Sequence, residues 1–351
     1  MQTLISEKDL LIFTRSLLLK VGLDEYSTDM VATCLIETSL RGVDSHGIRL
    51  LPHYVKSALS GRKNTNPNFK VTRKFPTIAL LDADNAYGHA AGMKAIDVAI
   101  NMAEEFGMGC VGVANSSHPG AMGSFAIKAA RQGYIAFAFT HADSLLVSHG
   151  GKRPYFGTNP FCMAAPREGM EPFCLDMATS SFSWNTLLVR KSNGENLPEN
   201  VAVDENGEPT IDPILARALY PIGGYKGYGI AAVIEILCSI FTGMNFGRSI
   251  PSMYKAPMEE PRKLGQFYMV IKADGCVPLD GFMKNLSQMT EEVRDEPAKL
   301  NDQVMLAGDK EINCLKQRRK TGIPVDQATL TSLMELSREY ELPFNSFEDV
   351  K

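Results

Sequence analysis

Gly107-Met108-Gly109-Cys110-Val111-Gly112 spells G-x-G-x-x-G, a spacing that on a strand–turn–helix unit aims backbone amides at a pyrophosphate. Its surroundings decide against that use. Helical periodicity runs over about 92–106, ahead of the glycines, and an apolar strand pattern, Gly109 to Ala114, follows them. The helix N-terminus that would have to hold the phosphates is at the wrong end. An α/β fold without a Rossmann unit is expected.

Outward from this point, short apolar runs alternate with helical stretches. Thr77 to Leu81, Tyr134 to Thr140, Phe161 to Ala165, Phe173 to Met177 and Gln266 to Ile271 read as strands, and about 122–132 and 227–243 as helices. Such alternation predicts an α/β domain with a largely buried sheet over roughly 73–290. Upstream, Ser6 with Asp9 starts a helix that Gly22 ends. Ser27 begins a second helical pattern leading into Arg41-Gly42-Val43-Asp44-Ser45-His46-Gly47, and Leu51, Tyr54, Val55 and Leu59 mark a third. Residues 1–72 are therefore expected to form a helical domain. The charged, helical segment 291–351, ending in Gln327 to Tyr340, is expected to pack back on it or on a second subunit.

The totals exclude several classes. At 351 residues about two domains are expected, and a hydrophobic content of 44% with 22% charged residues is that of a folded globular chain. The net charge of −4, with 36 basic and 40 acidic residues intermixed, leaves no broad cationic surface for nucleic acid. The basic run Lys316 to Lys320 reads as a solvated helix end. Seven scattered cysteines, with no Cys-x-x-Cys pair and no histidine cluster of ligand spacing, read as reduced core residues, so no metal is expected. The first residues lack a basic segment followed by an apolar stretch, and no apolar run reaches membrane-spanning length. A reducing, cytoplasmic setting is expected, with no membrane partner.

Four segments carry candidate chemistry. His46, flanked by Asp44, Ser45 and Gly47, is suited by its near-neutral titration to proton exchange with a substrate oxygen; a structural histidine is the competing reading. Asn115-Ser116-Ser117-His118-Pro119-Gly120 follows a strand and precedes a helix, at the sheet edge where α/β folds bind ligands; an Asn/Ser helix cap competes. Gly223-Gly224-Tyr225-Lys226-Gly227-Tyr228-Gly229 opens a hydrophobic helix and offers amides and a lysine to a phosphate, or simply a glycine-rich helix start. Asp176, in Leu175-Asp176-Met177-Ala178-Thr179-Ser180, lies at a strand-to-helix switch, as a cofactor contact or an N-cap. His141, Asp143 and His149, like Gly157-Thr158-Asn159-Pro160, read as loop and turn residues.

Together with Gly150-Gly151 and Leu264-Gly265-Gln266-Phe267, these segments, in order, resemble the malate/L-lactate dehydrogenase family of the non-Rossmann type. The resemblance implies a nicotinamide-binding α/β domain with a mixed sheet, a helical domain from both chain ends, and a homodimer. It implies hydride transfer between NAD, with NADP as the alternative, and a small 2-hydroxy or 2-oxo acid. Carried over by position, His46 gives the proton to the substrate oxygen with Ser45 and Asp176 in support, while the ureidoglycolate branch gives that role to the histidine matching His118. Cofactor contacts would be Ala142, Asp176, Met177, Ala178, Lys226, Gly308 and Asp309. Ala142 replaces a serine there, and Asp309 stands where Pro-Gly-Glu is common. Trp184-Asn185-Thr186 lacks a common lysine, which leans towards NAD.

One departure bears on substrate. Most members place an arginine four residues after the Asp-Ser-His-Gly histidine, where a fork holds the substrate carboxylate. Here that position is Leu50 and the arginine is Arg49, a shift that on a helix swings the side chain by about 100°. Arg49, Tyr54 and Thr158 are the substrate-binding candidates, with His53 and Arg153 as further options. Two rivals follow from the same residues. A serine hydrolase on Ser45 and His46 requires neighbouring residues to face each other and lacks a G-x-S-x-G elbow. A noncatalytic small-acid or nucleotide binder on the same fold is the other.

Overall fold

The structure is a computed structural model and describes residues 2–344. The chain opens with β1 (Gln2–Ile5), α1 (Glu7–Lys20), α2 (Glu25–Leu40) and, after 3-10 turns at Asp44–His46 and Ile48–Leu50, α3 (Leu51–Leu59). There follow β2 (Lys70–Phe75), β3 (Ile78–Asp82), α4 (Gly88–Phe106), β4 (Met108–Ser116), α5 (Gly123–Ala130), β5 (Tyr134–Thr140), β6 (Leu146–Val147), β7 (Pro154–Phe156), β8 (Phe161–Ala165) and β9 (Phe173–Met177). Next come α6 (Trp184–Asn193), β10 (Ala202–Val203), β11 (Ala218–Leu219), α7 (Tyr225–Glu235) with a π-helical continuation Ile236–Ile240, β12 (Leu264–Lys272) and α8 (Leu279–Arg294). The last elements are α9 (Asp309–Thr321), β13 (Ile323–Asp326) and α10 (Gln327–Glu339).

A seven-stranded mixed sheet, β2-β3-β4-β12-β5-β8-β9, organises the middle of the chain. β3 and β4 run parallel, joined through α4, and the other neighbours are antiparallel. One face packs α4 and α5 through Val111, Val113, Ala136, Ala138 and Val270 against Ile96, Ala99, Phe125 and Ala129. The other meets α7 and its continuation through Phe267, Ile234 and Cys238. A four-stranded sheet, β10-β11-β6-β7, stands beside it.

The glycines of the rejected fingerprint have packing roles. Gly107, at φ +83°, ends α4 in the left-handed conformation that an L side chain adopts only under strain. A Cβ on Gly109 would lie 2.4 Å from the Ala99 carbonyl oxygen, and one on Gly112 3.1 Å from Thr242 Cγ2. They let β4 lie close under the helices on its two faces.

The chain ends meet in a second core. Leu315, Ile323, Val325, Leu330 and Leu333 are buried with Leu10, Leu17, Leu35 and Tyr54, each side chain contributing about 1.5–3 kcal/mol by burial. A β1–β13 ribbon joins the ends. That ribbon and β2, exposed at every position, carry too little apolar alternation to read as strands from sequence. α8 runs through residue 290. Lys191 to Asn193 form the last turn of α6 before left-handed Gly194. Among the described residues no helix is long and apolar enough to cross a membrane.

Gly109→Ala is expected to destabilise the fold by about 1–3 kcal/mol, because neither backbone nor Met102 can yield to the added carbon. Urea denaturation measures this, and an unchanged midpoint would refute the close α4–β4 packing.

Candidate active site

The end of α2 builds one wall. Arg41 caps the helix, Gly42 turns the chain at φ +80°, and Asp44–His46 forms a single 3-10 turn. Gly47 passes so close to α2 that a Cβ would stand 2.2 Å from Ser39 Oγ. That hydroxyl accepts from the Ile48 amide at 2.8 Å and donates to the Leu35 carbonyl at 2.9 Å. Arg318 of α9 donates to both Asp44 oxygens, at 2.5 and 2.9 Å, so one residue of the expected solvated basic run clamps this turn. His46 is thereby fixed with its Nδ1 2.9 Å from Ser45 Oγ. The neighbouring serine and imidazole do meet, against the steric expectation, but Asp44 is held by Arg318 and so is not the third member of a hydrolase triad.

The loop after β4 builds the adjacent wall. Ser117 Oγ accepts from the Gly88 amide at 3.0 Å and donates to the Ala86 carbonyl at 2.9 Å. Gln266 of β12 donates to Ser116 Oγ and the Ser117 carbonyl. His118, next in line, stacks on His46 with centroids 5.6 Å apart and planes 24° apart. Its Nδ1 lies 2.9 Å from the hydroxyl of Tyr54, which is fully buried. With both Nδ1 atoms occupied, each ring keeps Nε2 for the cleft. Burial pushes His46 down to about 4. Burial first, then repulsion from His46 once it is protonated, from Arg262, from His89 once it is protonated and from Lys63, hold His118 well below the usual histidine value. Both rings are therefore neutral, proton-accepting bases at pH 7.

These rings line a cleft of about 870 Å³, a size for a cofactor together with a small substrate. Asp176, at the end of β9, faces it. Its Oδ2 accepts from the Gly123 amide at 2.7 Å, so it caps α5 across space and not the helix that follows it; α6 starts at Trp184. Enclosure by protein raises Asp176 to about 6, opposed by the Gly123 amide, raised further by Glu311 and opposed by the Met122 amide. Its edge is open to cleft water, which weakens the shift until a ligand displaces that water. Gly308, at φ +88°, lies against β9, where a Cβ would be 2.8 Å from the Cys174 carbonyl oxygen. Close backbone and a carboxylate acceptor at the same floor fit a dinucleotide, whose ribose hydroxyls and carboxamide need acceptors.

Asn159, read as a bland turn residue, is fully buried. Its Oδ1 accepts from the Ala142 amide at 3.2 Å, and its Nδ2 donates to Glu235 Oε2 at 2.8 Å. His141 is equally buried and accepts from the Gly265 amide at 2.8 Å. Both fasten the Ala142 loop to α7 and β12.

Of the sequence candidates, Ser45, His46, His118, Ala142, Thr158, Asp176, Met177, Ala178 and Gly308 share the cleft. Tyr54 stands behind His118, its hydroxyl committed to the ring. Arg49 is exposed and lines an adjoining cavity of about 340 Å³ with His53, Asn185, Tyr254 and Thr329. Lys226 is exposed at the start of α7, outside the cleft lining, and Asp309 pairs with Arg294. Of the seven cysteines, Cys34, Cys162, Cys174 and Cys238 are buried, whereas Cys276 is exposed. Among the described residues no group of three or more His, Cys, Asp or Glu is placed to hold a metal.

Sequence reasoning missed Arg262, Asn185 and Tyr254. Arg262 is buried on the cleft wall, paired with Asp143 and donating to the Pro251 carbonyl. Tyr254 donates to Asn185 Oδ1 at 3.1 Å, and Asn185 donates to the Ser45 carbonyl at 3.1 Å, bridging cleft and side cavity. Arg62 fixes the Tyr254 loop through the carbonyls of Met253, Ala256 and Pro257. None of these lies in a patterned segment; the available signal was arginine in otherwise turn-rich stretches.

The sequence model for malate/L-lactate dehydrogenase matches residues 5–334. The chain is 34% identical over 345 residues to a malate dehydrogenase of Pyrococcus abyssi, covering 95% of this chain and 94% of the relative. It is 36% identical over 276 residues to ureidoglycolate dehydrogenase (NAD(+)) of Escherichia coli, covering 79% of each. The crystal structure of malate dehydrogenase from Entamoeba histolytica superposes with a TM-score of 0.92 at 30% identity, covering 98% of this chain and 99% of that one.

Acid should destabilise the protein through buried His89 and half-buried His53. Burial holds His89 at about 3, with Lys63 and His46 adding to the effect, and holds His53 at about 3, with Lys63, Arg62, Arg262 and Lys56 adding to it. Unfolded imidazoles protonate near 6.5. Between about pH 6.5 and 3 the unfolded chain therefore binds protons that the folded chain refuses, and stability falls as pH falls. Thermal melts from pH 7.5 to 4.5 should show a falling midpoint below about 6.5; a level midpoint would contradict the neutral, buried state of these rings.

Proposed function

Because the chain belongs to the malate/L-lactate dehydrogenase family, we propose that the cleft between the His46–His118 wall and Asp176 is where it interconverts a small 2-hydroxy acid and its 2-oxo acid. The chain is an oxidoreductase acting on CH–OH with NAD or NADP. The stacked imidazoles facing a carboxylate across one cleft carry the reading of the site.

When bound, the nicotinamide supplies or accepts the hydride. Asp176, with the backbone of Met177, Ala178, Gly308 and the Ala142 loop, would hold it; Lys226 and Asp309 reach it only through rearrangement of their own surroundings. His118 is assigned the proton exchange, since its loop is pinned by Ser117, Gln266 and Tyr54. In oxidation its Nε2 takes the hydroxyl proton while its Nδ1–H stays hydrogen-bonded to the Tyr54 oxygen; in reduction the protonated ring returns the Nε2 proton to the substrate oxygen. His46, oriented by Ser45, shares the substrate oxygen. The substrate carboxylate is assigned to Arg262, a buried guanidinium of the cleft beside Tyr254, with Thr158 in the same lining. Arg49 adds charge from the side cavity.

A homodimer is part of the proposal. Ile230, Val233, Ile236, Ile240 and Phe241 on α7 and its continuation are exposed, an apolar stripe suited to burial against a second copy. An odd number of cysteines, four of them buried thiols, fits a reducing setting, and the cytoplasm is the proposed location.

Absorbance at the NADH band should change with at least one of pyruvate, oxaloacetate, sulfopyruvate or 2,3-diketogulonate, or with ureidoglycolate in oxidation. Silence with both cofactors across the panel would instead favour a binding protein. His118→Ala should cut turnover by about 10²–10⁴; full turnover in that variant, with loss in His46→Ala, would move the role to His46. Light scattering should give twice the 38.5 kDa chain mass, and the single-chain mass would exclude the dimer.

A further inference from the structure

Lys63, in the loop after α3, has a buried side chain. Its Nζ stands 4.2 Å over the Tyr54 ring and 4.3 Å over the Tyr87 ring. Among the described residues that Nζ has no hydrogen-bond partner. A buried ammonium without protein acceptors is costly, and the two aromatic faces are what compensates it here. If the position served packing alone, a methionine of similar length would fill it at lower cost. The rings it joins lead to the site: the Tyr87 hydroxyl donates to the Tyr54 carbonyl at 2.7 Å, and the Tyr54 hydroxyl meets His118 Nδ1 at 2.9 Å.

We propose that Lys63 is a positioning residue of the acid/base wall: its buried ammonium holds Tyr54 between Tyr87 and His118, and its charge keeps His118 in the proton-accepting form until an anionic acid enters the cleft. This rests on the assignment of His118 as the proton-exchanging group. The groups acting on His118 come from every element around it: His46 from the 44–46 turn, Tyr54 from α3, Lys63 from the loop, His89 from α4 and Arg262 from the segment before β12. None of them is a carboxylate. Lys63 is itself surrounded by Tyr54, Tyr87, His53, His89, Arg62 and Arg262. Burial, then Arg262 and Arg62, draw its pKa well below the usual lysine value, and the ring faces oppose that loss of charge. A substrate carboxylate offsets this positive field, so proton uptake by His118 becomes coupled to the arrival of the acid.

Lys63→Met removes the charge and keeps the length. The acid limb of kcat/KM for hydroxy-acid oxidation is expected to move up by at most about one pH unit, since Lys63 is the smallest of the influences that hold His118 down. The NMR titration of the His118 ring should move with it, while Lys63→Arg keeps the parent's profile. If Lys63→Met does not fold, Lys63→Gln is read in the same way. A ring titration that superimposes on the parent's overturns the proposal. That titration needs no turnover, so an enzyme inert to every acid tested would count against the proposed reaction while the ring still decides the role of Lys63.

Discussion

The side-chain amide of Gln266 holds the site to the sheet. It is fully buried in β12, and its Nε2 donates to Ser116 Oγ, the Ser117 carbonyl and the Gly88 carbonyl while its Oε1 accepts from Tyr268. One amide thus joins the central strand, the end of β4, the His118 loop and the start of α4. Removing it would leave several buried polar groups unpaired, each costing about 1–3 kcal/mol. β12 enters the sheet between β4 and β5 although it lies some 150 residues after β4. The loop that carries His118 is therefore completed only when the late strand is in place, and its geometry inherits the rigidity of the sheet centre.

Around that loop the balance of charge is one-sided. Burial acts first on His118, and the charges of Arg262 and Lys63 act in the same direction. Asp143, the nearest negative partner of Arg262, is consumed by that ion pair. A site arranged this way favours neutral imidazoles when empty and attracts an anion. Once an anion is present, protonating a ring becomes easier. The same arrangement suits both directions of the reaction, since the base is ready before hydroxy acid binds and the acid form is favoured beside a bound oxo acid.

Much of this was legible in the sequence, for identifiable reasons. The strands over 134–140, 161–165 and 173–177 stand out as short apolar runs because helices pack on both faces of the sheet, and the helix-before-glycine order at 107–112 excluded a Rossmann unit. The polar segments around His46 and His118 stood out because both follow apolar elements. What sequence concealed was long-range pairing. Asp176 looked like the cap of its own following helix and instead caps α5, and Arg318 looked solvated and instead holds Asp44. Arg62, Lys63 and Arg262 sit in turn-rich stretches whose periodicity says nothing, and they acquire meaning only when β12 and the 251–262 segment fold over α3.

The outward direction of Arg49 has a structural cause. Ile48–Leu50 is a 3-10 turn, so successive side chains diverge by about 120°. Leu50 enters the helical core beside Leu51, Tyr54 and Leu330, and Arg49 must then point outward, to the side cavity. A guanidinium at position 50 would have to enter that apolar core or rotate the whole turn, and rotation would carry His46 off His118, because Gly47 is already in contact with Ser39. The core therefore decides which face of the turn is available for charge. The cleft keeps a buried guanidinium on a different segment, Arg262 before β12, tied through Asp143 to the loop after β5. With the carboxylate on Arg262 as proposed, that end of the cleft depends on how the Tyr254–Arg262 segment is anchored, through Arg62 and Asn185, as much as on the turn that bears His46.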